Sequence, residues 1–302
     1  MNVAEIGLYF AAKALRSASI AHTPEMKAAL TNIEENDAYR AGEIGRIISA
    51  LKKYRLCLSE RTVVDFGCND GALSLGYLQN GAARVVGVDV DESALDRARA
   101  LHQDERMSFL KSTVSSIPIQ DSTIDAVISY DVFEHVSNPP KIVEELWRIL
   151  RPSGWVLIGT WSWRHPFAPH LWAVMPVPWA HLLVNERTLL KACRRVYHAP
   201  WYRPNRHDFD AAGRRLPDKY TEQAISRDYL NHYLIRDFES AFRAAGFSCQ
   251  TDVIPFSSPY AVWTRPFARA RWLRDFLAGY VWFSLKKPLA LTTAKSPSVS
   301  RS

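Results

Sequence analysis

Between Arg61 and Thr160 the apolar positions follow two alternating patterns. RTVVDF at 61–66, RVVGVD at 84–89 and IDAVISY at 124–130 are short runs rich in β-branched residues, with almost no polar interruption. Such runs predict strands buried on both faces, where nothing requires every second residue to be polar. Met107–Lys111 and Trp155–Thr160 predict two more strands. Helical periods lie between them, one up to about Asn80, one over Asp91–His102, and one after Asn138. Asn138 is a good N-cap with Pro139 at the first helical position, and Ile142, Val143, Leu146, Ile149 and Leu150 form an apolar stripe. Pro152-Ser153-Gly154 predicts the stop before the fifth strand. Alternating strand and helix predicts an α/β fold, its sheet largely parallel with helices on both faces.

Outside this stretch the pattern changes. Residues 1–58 predict helices, and Val3, Ile6, Phe10 and Ala14 recur at helical spacing, which predicts an amphipathic helix packed on the protein or lying on a surface. After Thr160 the alternation stops. Residues 161–222 hold five of the ten Trp, five of the nine His and seven of the 17 Pro, with ten basic residues against five acidic. This reads as an insertion after the fifth strand. One helix within it carries Leu189, Leu190, Cys193, Val196 and Tyr197 on one face and Arg187, Lys191, Arg194 and Arg195 on the other. A helix at Asp237–Ala245 closed by Gly246, a strand at Cys249–Ile254, a helix with Trp263, Phe267 and Trp272, and a last strand at Tyr280–Leu285 follow. The expected organisation is therefore a helical segment at 1–58, a core at 59–160, an inserted lid at 161–225, completion of the core at 226–290, and a disordered tail at 291–302.

Composition narrows this modestly. A chain of 302 residues allows one large domain or two small ones. The formal charge of +7 permits anionic partners and establishes none. Cys57, Cys68, Cys193 and Cys249 are widely spaced, so neither a zinc site nor a disulfide framework is expected, and no metal ligands are assigned. That usage predicts a reduced, cytoplasmic chain. The longest apolar run, Leu171–Val184, is too short to cross a bilayer and contains Pro176, Pro178 and His181. Glu5 and Lys13 argue against reading the N-terminus as a signal peptide.

The first candidate chemistry lies at Val63–Ser74, VVDFGCNDGALS. A strand runs into a glycine loop and then a helix. A dinucleotide fingerprint there needs G-x-G-x-x-G, so that backbone approaches a pyrophosphate at the helix N-terminus. Here the spacing is Gly67-x-x-x-Gly71 with Asn69 between, and Asp65 and Asp70 place two carboxylates where a diphosphate would sit. A cationic ligand end suits them better, and the sulfonium and ammonium groups of S-adenosylmethionine meet that need. Asp89 ends the second strand and can accept two hydrogen bonds from a ribose diol, which points to an adenosine ligand of either kind.

The segments VVDFGCNDG, VVGVDVDESALDRAR, IPIQDSTIDAVISYDVFEHV and LWRILRPSGWVLIGT, in that order, together with RDFESAFRAAGF, resemble the class I S-adenosylmethionine-dependent methyltransferases. The nearest group is the type-11 small-molecule methyltransferases, which include those of ubiquinone and menaquinone biosynthesis. The resemblance covers roughly residues 38–160. It implies a Rossmann-like seven-stranded sheet of order 3-2-1-4-5-7-6, last strand antiparallel, with S-adenosyl-L-methionine at the carboxyl ends of the first strands. Asp65, Gly67 and Gly71 match the family's loop, and Asn69 departs from it at the middle glycine. Where the family usually has Gly-Asp beside the adenine, this chain has Ser112-Thr113, so a backbone amide or the Thr113 hydroxyl is expected to substitute. Tyr130 and Asp131 are expected to line the pocket, and Tyr39 and Arg40 to close over the cofactor's carboxylate.

Methyl transfer requires alignment and exclusion of water, and a base only when the acceptor must lose a proton. His135, in EHV after the fourth strand, is the first candidate base. His165 and His181 follow, with His170 beside them, since the insertion is expected to roof the pocket. The acceptor is expected to be a small or lipid-linked molecule, its reacting atom O, N or C, with peripheral membrane contact through the insertion. Nucleic acid is not expected, because the Arg-rich helix has no RNA-binding module beside it. Tyr9-x-x-x-Lys13 imitates a reductase pair but precedes the glycine loop, and Asn138-Pro139-Pro140 is explained by capping. A nicotinamide-dependent reductase or epimerase of related fold, and a non-catalytic membrane-surface scaffold, are the alternatives.

Overall fold

The computed structural model describes residues 2–16, 33–204, 208–209, 213–220, 230–255, 266–267, 270 and 272–289, with side chains from 42 onward in the second segment. Two N-terminal helices, α1 (Val3–Leu15) and α2 (Ile33–Tyr54), precede β1 (Thr62–Phe66), α3 (Ala72–Gln79), β2 (Arg84–Asp89), α4 (Glu92–Leu101), β3 (Met107–Lys111) and β4 (Ile124–Tyr130). A single 3-10 turn at Phe133–His135 leads to α5 (Pro139–Ile149) and β5 (Leu150–Thr160). Then come α6 (Ala180–Leu183), α7 (Glu186–Tyr197), α8 (Ile235–Ala244), β6 (Ser248–Pro255), α9 (Arg274–Leu277) and β7 (Ala278–Lys286).

The seven strands form one sheet of order β3-β2-β1-β4-β5-β7-β6. Pairing is parallel from β3 through β5, and β7 runs antiparallel to both β5 and β6. This is the Rossmann-like arrangement the sequence motifs imply. Both faces are covered. One carries α5 and α8, whose Ile142, Val143, Leu146, Ile149, Phe238 and Phe242 pack with β-strand residues in a single apolar cluster. The other packs residues of α2, α3 and α4 against Val63, Val85, Ala126, Ile128 and Leu157. Asn138 caps α5 as expected, its side chain accepting from the Lys141 amide.

One expectation needs correction, and two others are met only in part. β5 begins at Leu150 rather than Trp155. Leu150 pairs with Ile124, and the register then shifts as far as Ala126. The Pro-Ser-Gly segment is a bulge within the strand, held to the sheet by the Ser153 amide on Lys287 O and the Lys287 amide on Gly154 O. In α1 the face that packs is Leu8 and Ala12 with Glu5, whereas Val3 and Phe10 are exposed. Glu5 pairs with Arg195 of α7, which turns that side of α1 inward. Near the C-terminus, Trp263 lies outside the described residues, Phe267 and Trp272 are exposed, and the helix described there is the four-residue α9. Asp275 in α9 is buried because its carboxylate accepts from Ser162 Oγ at 2.5 Å and from the Ile235 amide at 2.8 Å. The expected tail at 291–302 also lies outside the described residues.

Residues of the 161–225 segment build a core of their own. Leu171, Val174, Met175, Leu189, Leu190, Cys193, Val196 and Tyr197 cluster with Leu8 and Ala12 of α1. Among the described residues, no helix is long and apolar enough to cross a membrane.

Candidate functional site

In an open parallel sheet, ligands bind beyond the carboxyl ends of the strands where the strand order reverses. Here the order turns at β1, between β2 and β4. A cavity of about 660 Å³ opens at that point. Its wall is made by the loop Gly67–Asp70, by 88–91 after β2, by 112–114 after β3, by 130–132 and 135–137 after β4, and by Glu43 from α2. That volume lies inside the range of sites that enclose a cofactor-sized molecule, roughly 300–1,000 Å³.

The loop has its unusual shape because two residues take left-handed backbone, Gly67 at φ +81° and Asn69 at φ +49°. Asparagine adopts that region more readily than most side chains, so the departure at the middle glycine keeps the loop's shape. Four of the amide donors at this turn are already used. The Gly67 and Cys68 amides donate to Val88 O at 2.8 and 3.1 Å, the Asn69 amide to Asp89 Oδ2 at 2.9 Å, and the Gly71 amide to Cys68 O at 2.9 Å. A diphosphate needs such donors unpaired. The lining charges argue the same way. Glu43, Asp70, Asp89, Asp91 and Asp131 border the cavity, and no lysine or arginine does so among the described residues. A cationic ligand end is favoured in such a wall, and a diphosphate is repelled. The residues therefore fit the sulfonium and ammonium end of S-adenosylmethionine.

Individual placements differ from expectation in instructive ways. Gly67, Asn69, Asp89, Ser112, Thr113, Tyr130, Asp131 and His135 all border the cavity. Asp65 does not. It is buried beneath the loop, accepting from Ser74 Oγ at 2.5 Å, and so ties the end of β1 to the start of α3. Gly71 also lies outside the lining. At φ +81° it starts α3, and a Cβ there would come within 2.8 Å of both the His102 and Phe109 rings. Asp89 is held in place by the Asn69 and Asp91 amides, one on each oxygen, and keeps further acceptor capacity toward the cavity. The polar groups of Thr113, at the cavity edge, are engaged in a local turn. Its amide donates to Ser116 O, and its hydroxyl sits among the Ser115 amide, the Ser116 amide and Ser116 Oγ. The Tyr39 and Arg40 side chains lie outside the described residues. Glu43, absent from the set the sequence predicts, accepts from Tyr130 Oη. Only its position on a helix facing the loop reveals it.

His165 and His181 are not in the cavity wall, and among the described residues of 161–225 none lines it. His165 is buried against Trp161, its Nδ1 accepting from the Phe167 amide at 3.1 Å. His181 Nε2 lies 2.9 Å from Trp163 O. Burial holds both rings below the usual imidazole range, so both are neutral packing groups. The insertion reaches the site elsewhere. Trp161 Nε1 donates to Asp131 Oδ1 at 3.0 Å, and Tyr280 Oη donates to the same oxygen at 2.8 Å. The His170 ring lies 5.1 Å from the His135 ring, centre to centre.

Behind this end of the cavity the packing is acidic and crowded. Glu134 is buried, with Oε2 accepting from Thr160 Oγ1 at 2.7 Å. Burial raises its carboxyl above the usual range. Asp131 is raised as well, first by its walled-in position and then by the charge of Glu134, while the Tyr280 and Trp161 donors oppose the rise. Its surface stays open to solvent through the cavity, which limits that rise. His170 is pushed down to about 3 by burial and by His135 beside it, so its ring is neutral.

Comparison with known proteins agrees with this geometry. Residues 64–158 match the family model described as a methyltransferase domain. This stretch is a class I S-adenosylmethionine-dependent methyltransferase domain. An uncharacterized methyltransferase of Mycobacteroides abscessus is 32% identical over 118 residues, 38% of this chain and 45% of that one. A ubiquinone biosynthesis O-methyltransferase of Nitrosomonas europaea is 31% identical over 121 residues, 39% of this chain and 50% of that one. The chain thus spans about half the length of the curated relatives it matches. In fold it is similar to a geranyl diphosphate methyltransferase solved with S-adenosylmethionine, at a TM-score of 0.51 and 16% identity, covering 84% of this chain and 88% of that one. The domain matched ends inside β5, so the methyltransferase match holds the whole loop and Asp131, Glu134 and His135 but none of the insertion.

Proposed function

We propose that the whole chain is an S-adenosylmethionine-dependent methyltransferase acting on a small or lipid-linked acceptor. The observation that carries this is the cavity wall, which combines an all-acidic set of charged side chains with a glycine loop in which the Gly67, Cys68 and Asn69 amides are already paired. The bound cofactor supplies an electrophilic methyl group on a sulfonium and a neutral thioether as leaving group. The chain's own residues bind and orient. Asp89 accepts from the ribose, Val90 and Val114 flank the adenine side, and Asp70 and Glu43 favour the cationic end. Asp131 and His135 face the acceptor. This arrangement works by alignment in a walled recess, and that accounts for much of the barrier reduction such a displacement needs.

The lipid-linked part of the proposal rests on two supports. One relative is named for ubiquinone biosynthesis. The surface also offers apolar side chains, with Val3 and Phe10 exposed on α1 and Leu182 and Leu183 exposed on α6. Beside α1, the outer face of α7 carries Arg187 and Lys191, while Arg194 and Arg195 on the same helix are paired with Asp218 and Glu5. Apolar side chains next to a basic face suit an anionic bilayer surface. The nicotinamide alternative has no comparable support. Tyr9 is held by a hydrogen bond from Trp201 Nε1 at 2.8 Å, within the α1 packing and remote from the loop.

Calorimetry with S-adenosylhomocysteine tests the proposal. Binding by the wild-type chain is expected, weakened at least tenfold in Asp89→Ala, a loss of about 1.4 kcal/mol, the size of a hydrogen bond to a charged group. No binding by the wild type, or equal binding by the variant, removes it. Sedimentation with vesicles of phosphatidylglycerol and phosphatidylcholine tests the membrane part, and unchanged sedimentation by Phe10→Asp would reject α1 as the contact.

A further inference from the structure

We infer that Glu134, His135 and His170 form a binding site for one divalent transition-metal ion at the acceptor end of the cavity. One potential ligand atom from each of the three lies within 4.8 Å of the other two. His170 Nε2 is 4.0 Å from Glu134 Oε1. Two ligands sharing an ion through bonds of about 2.0–2.2 Å stand roughly 3–4 Å apart, so small rotamer adjustments close the set. Two imidazoles and one carboxylate are a donor set that zinc, iron(II) and manganese(II) accept, with coordination positions left over.

Proximity alone would be weak support, since polar groups cluster for many reasons. The second observation is the state of Glu134. Its residue is 5% exposed, and among the described residues the buried Oε1 has no hydrogen-bond partner. Buried carboxylate oxygens are almost always paired, because desolvating one without compensation is costly. Oε2 is fixed by Thr160 Oγ1, so Oε1 is aimed by its partner oxygen toward the two histidines. A cation between them supplies the missing partner.

The chain assembles this set from two places. Glu134 and His135 lie in the 3-10 turn after β4, inside the methyltransferase match, and His170 comes from the insertion. His135 borders the cavity while Glu134 and His170 stand behind it, so the remaining coordination positions open toward the acceptor space. The class of ligand that would fill them is an oxygen of the acceptor, a hydroxyl or carboxylate. This last step rests on reading the cavity as a methyl-transfer site, whereas the ion site itself does not. His135 then acts as a metal ligand and an orienting group.

The test is manganese(II) binding to the full chain after chelator treatment, followed by electron paramagnetic resonance and calorimetry. One ion per chain is expected. His170→Ala and Glu134→Gln should each weaken binding by more than the roughly 10–100-fold typical of outer-shell partners. Because Glu134→Gln removes a buried charge that contacts Thr160 and can disturb folding, His170→Ala is the deciding variant, with S-adenosylhomocysteine affinity as the control for a folded cofactor pocket. Loss of manganese with retained S-adenosylhomocysteine binding supports the site. Absence of a one-to-one ion in the wild type, or equal affinity in His170→Ala, overturns it. Manganese binding without any S-adenosylhomocysteine binding would uphold the ion site and remove the methyl-transfer reading.

Discussion

Replacing Gly67 with alanine isolates what the loop requires of its first glycine. A Cβ at that position would lie 2.3 Å from Val132 Cγ2, 2.7 Å from Cγ1 and 3.0 Å from Cβ. The backbone there has φ +81°. Two separate penalties result, about 1–2 kcal/mol for an L-residue held in left-handed backbone and about 1–3 kcal/mol for overpacking, roughly 2–5 kcal/mol together. They can be separated, because only the second depends on Val132. Val132→Ala removes the two closest atoms and leaves its Cβ at 3.0 Å, a tight but tolerable approach. Val132 is half-buried, so by itself that truncation should cost about 1 kcal/mol. In the double variant the steric penalty should largely vanish, giving a coupling energy of about 1–3 kcal/mol in favour of the pair. Urea unfolding of the four proteins at constant slope measures it. Additive effects would refute the steric argument. A Gly67→Ala variant as stable as wild type would refute the backbone argument as well.

Two further outcomes concern the core and one ion pair. Phe133 is fully buried among Phe66, Phe238 and Phe242, so Phe133→Ala should destabilise by about 3–5 kcal/mol in the same unfolding assay, and Phe133→Leu by clearly less. Glu145 is held below the usual carboxylate range, chiefly by hydrogen bonds from Arg148. A carboxyl depressed on folding contributes stability that is present above its unfolded pKa and lost as pH falls through the folded one. Glu145→Gln should therefore be less stable than wild type at neutral pH, with the gap closing on acidification below the ordinary carboxylate range, as thermal melts across that range will show. A gap independent of pH would refute the assignment.

The strand runs and the order of motifs are enough to read the sheet, because central strands buried on both faces carry their burial in composition. The loop is legible for the same reason, since Gly67 and the acids beside it occur together locally. What the sequence hides depends on contacts between distant segments. Periodicity groups Val3 and Phe10 on one apolar stripe of α1, yet it does not say whether that stripe packs inward or lies on a surface. The Glu5–Arg195 pair that selects Leu8 and Ala12 spans most of the chain. Position in a motif puts Asp65 and Gly71 against a ligand. The side chain of one and the missing side chain of the other instead serve packing, through Ser74 and through the His102 and Phe109 rings. Pro152-Ser153-Gly154 reads locally as a stop, and only the partner strands reveal a bulge. Glu43 has no motif around it and is recognisable only once α2 is seen beside the loop.

The histidines show the same limit. His135, His165 and His181 share nothing in sequence beyond their residue type and a place after β4 or β5. In space their surroundings separate them. His165 and His181 are used by backbone partners within the insertion's own packing, whereas His135 stands at the cavity wall with His170 beside it. The insertion therefore reaches the acceptor end from behind, through Trp161 on Asp131 and His170 beside His135, while its main core lies on α1. Trp161 and His170 thus act on the cavity through the wall residues Asp131 and His135, without lining it themselves. On the methyl-transfer reading proposed above, substitutions at Trp161 or His170 should alter the rate with a given acceptor and leave S-adenosylhomocysteine affinity, measured by calorimetry, unchanged.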